Sequence, residues 1–280
     1  LVSSHDILSP VKRILKQIFP IQLPQILHIV CNKTAQKQLK KQFGIASISV
    51  PDVMPLTGKY GQVSESTTKT IKTELKIPKR KKILLYASPI IRGKQFEMAV
   101  EITKRLGKDF HLLITSTCNE ENDDNYLSEL KELIKEEGMS KQITIGTGRF
   151  GAFSKKRVDD PAVFSLSDAY GIADICLFFG ESEGFGHQVL EAIAAKKPFV
   201  TTMYPAYETE IATKGIKGIY IKKNKVTAAV ISDIYAQTME KGSLKLIDSN
   251  FEIALGSFHI SKLEEFFRDL FQAQSILDCG

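Results

Sequence analysis

The chain has 280 residues, 43% of them hydrophobic, enough to bury a large core as one big domain or two smaller ones. Its 38 basic and 32 acidic residues leave a net charge of +6, and neither interleaved aromatics nor a nucleic-acid motif accompanies them, which argues against an RNA or DNA binder. No apolar run reaches the roughly 18 residues of a membrane-spanning helix, and no signal-peptide pattern is present.

In chain order, apolar runs predict strands at 26–31, 83–87, 111–115, 143–146, 175–179, 199–202 and 218–221. Amphipathic or apolar stretches predict helices at 34–43, 66–75, 96–106, 125–137, 165–171, 186–195, 208–213, 227–240 and 261–274. Short, continuously apolar strands alternating with helices define an α/β class with a doubly wound parallel sheet. The segment 51–82 is poorer in apolar residues and carries Pro51, Pro55, Gly58 and Gly61, so its first half reads as an interdomain linker. Residues 1–60 are too few for an ordinary domain and read as the tail of a first domain plus linker, and 61–280 as a second, complete one. The last helix is expected to pack back toward the first unit.

Four scattered cysteines, Cys31, Cys118, Cys176 and Cys279, form no Cys-x-x-Cys pair. Cys31 and Cys176 fall in strand-like runs as core thiols, which suits a reducing, cytoplasmic setting. The basic runs Lys79-Arg80-Lys81-Lys82 and Lys222-Lys223-Asn224-Lys225 read first as solvated loop charge. Peripheral contact with an anionic membrane surface stays open as the alternative.

Chemistry concentrates in Glu183-Gly184-Phe185-Gly186-His187-Gln188-Val189-Leu190-Glu191-Ala192. A Gly-Phe-Gly turn opens an apolar helix there, and a helix start flanked by small residues offers free N–H groups to a phosphate. Glu191, among apolar neighbours, is expected to be buried and to need partners. Beyond the predicted strand 83–87, Ser88-Pro89-Ile90-Ile91-Arg92-Gly93-Lys94 sets two cations before the next helix, a pattern that suits a diphosphate. Together the two loops read as a site for a nucleotide diphosphate with hydroxyl-rich sugars. Gly146-Thr147-Gly148-Arg149-Phe150-Gly151 fits Gly-x-Gly-x-x-Gly after a strand, but Ser154–Pro161 reads as loop where that motif needs a helix, so a nicotinamide site is rejected. No Asp-x-Asp, metal-spaced ligand set, P-loop or Gly-x-Ser-x-Gly elbow occurs, so neither a bound metal nor another cofactor is expected.

The stretch from Glu183 to Ala192 resembles the Glu-x7-Glu motif of retaining glycosyltransferases of family 4, which have the GT-B fold of two Rossmann-like domains facing a cleft. The resemblance runs through most of the chain. Ser165–Tyr170 with Ala173-Asp174, Lys197–Val200 with Tyr204 and Tyr207, and Asn250–Ala254 each look like a family segment. Val50–Met54 resembles the Pro-Asn segment that ends the family's first domain, with Asp52 in place of Asn. The subgroup that includes mannosylglucosylglycerate synthases is the most similar. The resemblance implies that Glu191 binds the ribose hydroxyls and that Glu183 contacts the transferred sugar near the reacting carbon. It implies that Gly184, Phe185 and Gly186 offer backbone N–H groups, and that Arg92 and Lys94 hold the donor diphosphate. His5 resembles the His that closes the donor site from the first domain, and Gly148 and Arg149 would lie near the donor base. Pro89 stands where relatives carry an earlier Arg, Gly180 where they often have Ser, and His187 where the subgroup often has Asn.

The expected activity is transfer of a hexose from a nucleoside diphosphate sugar to an acceptor hydroxyl with retention of configuration. Two alternatives are a truncated, non-catalytic nucleotide-sugar-binding module and a GT-B phosphorylase or epimerase. Base, sugar and acceptor are not legible.

Overall fold

The computed structural model describes residues 21, 23, 26–115, 123–151, 164–180, 184–239 and 244–278. Strand β1 (His28–Val30), helix α1 (Lys33–Phe43) and β2 (Ser47–Ser49) open the described chain, the two strands pairing in parallel. Helix α2 (Glu65–Glu74) leads into the main body. There β3 (Lys82–Ala87), α3 (Phe96–Leu106), β4 (Phe110–Thr115), α4 (Asp124–Glu136) and β5 (Ile143–Ile145) follow one another. The short pair β6 (Phe150–Gly151) and β7 (Phe164–Ser165) precedes α5 (Leu166–Ile172) and β8 (Ile175–Phe178). Then come α6 (His187–Ala194), β9 (Phe199–Thr202), β10 (Ile219–Ile221), α7 (Ala228–Met239), α8 (Leu244–Phe258) and α9 (Ser261–Asp278).

Six of the strands form one parallel sheet in the order β10-β9-β8-β3-β4-β5. Counted among themselves, the six run outward in both directions from β3 and β8, the doubly wound arrangement expected from sequence. The chain reverses its direction of travel between those two strands, so the loops leaving β3 and β8 flank a crevice at their carboxyl ends.

Alternate side chains along the strands feed two cores. Ile83, Leu85, Cys176 and Phe178 face a cluster with α2, α5, α6 and α8. Leu84, Tyr86, Ile175 and Leu177 face a cluster with α3, α4 and α7. Burial on both faces is why these strands read as unbroken apolar runs.

The structure adds elements that the sequence expectation lacked. Helix α8 was not among the expected helices, and β2, β6 and β7 were not among the expected strands. The expected helix at 208–213 is a π-helical turn, Tyr207–Ile211, followed by a 3-10 turn, Ala212–Lys214. Helix α9 buries none of its described side chains, and the contact with the earlier segment comes just before it. There the Met54 N–H donates to the Phe258 carbonyl at 2.8 Å, and Met54 bridges to His259.

The segment read as linker is packed rather than free. Met54 and Leu56 are buried in the cluster shared with α2, α5, α6 and α8, the Gly61 N–H donates to Ser167 Oγ at 2.8 Å, and the Tyr60 and Tyr170 rings lie 5.6 Å apart. The approach is tight enough that a Cβ on Gly171 would stand 2.6 Å from the Gly61 carbonyl oxygen.

Candidate donor site

The loops leaving β3 and β8 meet in one pocket, lined by Tyr86, Ser88, Lys94, Gly180, Gln188 and Tyr204 among others. Tyr86 fastens them together. Its hydroxyl accepts from the Phe179 N–H at 2.9 Å and lies in hydrogen-bonding reach of the Lys94 carbonyl. Thr202 fixes the β8 loop from the other side, accepting from the Gly180 N–H at 3.1 Å and donating to the Gly180 carbonyl at 2.9 Å. From Gly180 a wider cavity of about 480 Å³ opens across the ends of β9 and β10, lined by Thr202, Met203, Glu208 and Lys222–Asn224.

Helix α6 begins at this pocket. Its cap is Gly186, left-handed at φ 99°, with no side-chain hydrogen bond to the cap and no acidic residue in the first turn. Val189 N–H returns to the Gly186 carbonyl, so the N–H groups of the first positions face outward, the arrangement that attracts an anion. The carbonyls of the turn are taken: the Tyr204 hydroxyl donates to Phe185 O at 3.2 Å, and the Asn32 amide donates to Gly184 O.

Glu191, one turn into α6, is half-buried rather than fully buried. Its Oε2 accepts from the Tyr170 hydroxyl at 2.7 Å. Burial, with the Glu191 charge as the next cause, holds the Tyr170 phenol well above its ordinary range, so it stays a donor. His187 Nδ1 stands 3.3 Å from Asp52 Oδ1, and that hydrogen bond raises the imidazole above its usual value against the opposing effect of burial.

The cations named from sequence part company. Lys94 lines the pocket. Arg92 is exposed, its guanidinium 2.5 Å from Glu129 Oε1 on α4 and 5.4 Å from the Tyr126 ring centre, and that pairing raises its pKa. Arg149 pairs with Glu74 of α2, while Gly148 takes a left-handed turn at φ 80° beyond β5. Gly184, Phe185 and Gly186 form the turn; Phe185 is buried, its ring 5.7 Å from Phe258. Glu183 and His5 lie outside the described residues. The sequence reading did not single out Tyr204 or Asn32 for a role at this turn; each acts through a contact that no local pattern encodes. Among the described residues no group of three His, Cys, Asp or Glu could hold a metal ion, and no helix is long and apolar enough to cross a membrane.

Fold and site together define an α/β protein with a crevice at the switch point of a parallel sheet, where helix α6 begins. The family pattern described as Glycosyl transferases group 1 matches residues 67–241, and the chain belongs to that family. It is 32% identical over 220 residues to a mannosylglucosylglycerate synthase of Petrotoga mobilis, covering 74% of this chain and 50% of the relative. To the Thermotoga maritima protein of the same name it is 27% identical over 285 residues, covering 91% of this chain and 63% of the relative. The chain thus spans between half and two thirds of the length of these curated relatives. The fold is GT-B. The Anabaena protein HepE, solved in complex with UDP and glucose, superposes with a TM-score of 0.69 over 88% of this chain and 63% of its own, at 15% identity.

Proposed function

We propose that this chain carries the donor-binding part of a hexosyltransferase that moves a sugar from a nucleoside diphosphate to an acceptor hydroxyl with retention at the anomeric carbon. The observation that carries the reading is the convergence of Lys94 and the uncapped start of α6 on one pocket at the β3/β8 switch point. In this reading the diphosphate lies at the mouth of that small pocket, beside the wider cavity beyond Gly180, and its growing negative charge in an oxocarbenium-like transition state is met by Lys94 and by the N–H groups of α6. Fixed charges and dipoles of this kind are usually the largest catalytic contribution. Glu191 accepts from the ribose hydroxyls, Glu183 faces the sugar, and the reaction uses no resident cofactor. The UDP bound by HepE and the names of the curated relatives support a nucleotide sugar as the partner.

A thermal-shift panel with UDP-, GDP- and ADP-hexoses, repeated with Lys94→Ala, tests this. Stabilisation by one nucleotide class, lost in the variant, is the expected result, since a ligand that binds only the folded state raises stability by mass action. A cooperatively melting chain that no donor shifts would overturn it.

A further inference from the structure

We infer that Ser88 is a donor-binding residue whose hydroxyl hydrogen-bonds a phosphate oxygen of the nucleoside diphosphate; the inference rests on the proposed donor site and names a contact within it. Ser88 is the first residue after β3, its own N–H held by the Thr115 carbonyl at 2.8 Å. The residue is 3% exposed, and its Oγ has no hydrogen-bond partner among the described residues. It lines the same pocket as Lys94 and Gln188, the second residue of α6.

A hydroxyl buried without a partner is a standing cost, and folded proteins rarely keep one without a reason. Many strand ends tolerate Ala or Gly, so nothing in the backbone here calls for Ser. The surroundings select the ligand atom. Lys94 is the charged residue among those lining the pocket, and the α6 start adds positive potential. An anionic oxygen drawn there by both would meet Ser88 as a third, neutral donor. The contact also compensates for two losses on the same loop. Pro89 provides no side-chain donor, and Arg92 is turned away to Glu129. A hydroxyl bonded to a charged acceptor is among the stronger hydrogen bonds.

The test is Ser88→Ala, with melting of the ligand-free chain and calorimetric titration with UDP, GDP and ADP and with the matching nucleosides. The expected result is a melting temperature equal to or above that of the wild type, because an unsatisfied group has been removed. The dissociation constant of the preferred diphosphate should rise roughly ten-fold or more, with nucleoside binding unchanged. Unchanged diphosphate affinity, or an equal loss for diphosphate and nucleoside, would overturn the Ser88 assignment while leaving the donor site standing. A lower melting temperature with intact affinity would mark the hydroxyl as structural and overturn it too. If the wild type binds no nucleotide at all, the donor reading itself falls and takes the Ser88 assignment with it.

Discussion

Gly186→Ala probes the turn before α6 at its tightest point. Gly186 caps α6 at φ 99°, a left-handed conformation that costs a residue with a Cβ about 1–2 kcal/mol. A Cβ there would also stand 1.6 Å from the Tyr204 hydroxyl oxygen and 2.8 Å from its ring Cζ. Tyr204 is buried and packs edge-on against Tyr207 with ring centres 5.8 Å apart, so it cannot move aside without disturbing a second aromatic. Overpacking of this kind costs about 1–3 kcal/mol. We expect a total loss of about 2–5 kcal/mol, read as a Tm drop of roughly 4–20 °C in a domain of this size, together with weaker nucleotide binding. Tyr204→Phe removes the clashing oxygen and its bond to the Phe185 carbonyl, itself about 1 kcal/mol. Because Cζ still crowds the new methyl, the second variant relieves the first only in part. Denaturant melts of the four proteins should give a coupling of at least about 1 kcal/mol. Additive effects within about 0.5 kcal/mol would refute the clash.

Lys94→Ala should weaken nucleoside diphosphate binding while sparing the nucleoside, whereas Arg92→Ala, which breaks an exposed pair, should change stability by about 1 kcal/mol at most and affinity little; equal losses in titrations of the two variants would contradict the division. Glu191→Gln keeps an acceptor for the buried Tyr170 hydroxyl and should hold its Tm while lowering nucleotide affinity, whereas Glu191→Ala should lose both, at about 1–3 kcal/mol of stability. Asn32→Ser retains an N-cap oxygen for α1 but loses the amide that reaches Gly184 O, so melting should stay nearly unchanged while nucleotide affinity falls; unaltered affinity would show that the contact is idle. Burial, helped by the nearby Lys81 charge, holds the His111 imidazole down at about 4, against an ordinary 6.5. The folded state therefore excludes a proton that the unfolded chain accepts, and stability present above pH 6.5 is lost as pH falls toward 4. Between pH 8 and pH 5 the loss is about 2 kcal/mol, and urea melts of His111→Leu should show a correspondingly flatter pH profile.

Much of the framework was legible because its signals are local. Leu84, Leu85 and Tyr86, or Ile175, Cys176 and Leu177, are buried on both faces, and such strands must be apolar at every position. The Gly-Phe-Gly turn was legible for a similar reason: the left-handed cap at Gly186 and the ring of Tyr204 leave no space for a side chain. Helix α8 was missed because Asp248, Ser249 and Asn250 favour turns on local grounds. In the fold, Asn250 instead clasps the Lys217 backbone, accepting from its N–H at 3.0 Å and donating to its carbonyl at 2.7 Å. The direction of Arg92 was illegible for the same kind of reason. Its partner, Glu129, lies 37 residues away on a helix whose placement depends on packing across the sheet. Ser88 gave no signal at all, since a lone serine in a loop is commonplace until its burial is known.

At the turn from Gly184 to His187 the segment of β1 and β2 reaches the loop that follows β8. Asn32 follows β1 and Asp52 follows β2, so both come from the carboxyl ends of the small sheet, facing the carboxyl ends of the large one. Asn32 caps α1 by accepting from the Ala35 N–H at 2.7 Å while its amide holds Gly184 O. Asp52 meets His187, and the Lys33 N–H meets Glu210 at 2.9 Å. The electrostatic result follows from which groups are occupied. A tight turn before a helix exposes carbonyls as well as N–H groups, and carbonyl oxygens pointed at a phosphate would cancel the attraction of the helix start. Here Asn32 engages one carbonyl and Tyr204 the next, each with a donor, so the turn's negative ends are bound to protein and its N–H groups are left to a ligand. In the proposed donor site the anion would be held by groups that the segment of β1 and β2 positions as much as by the start of α6. That reading gives a role to the buried asparagine that a segment of only 3-residue strands sets against the Gly184 carbonyl.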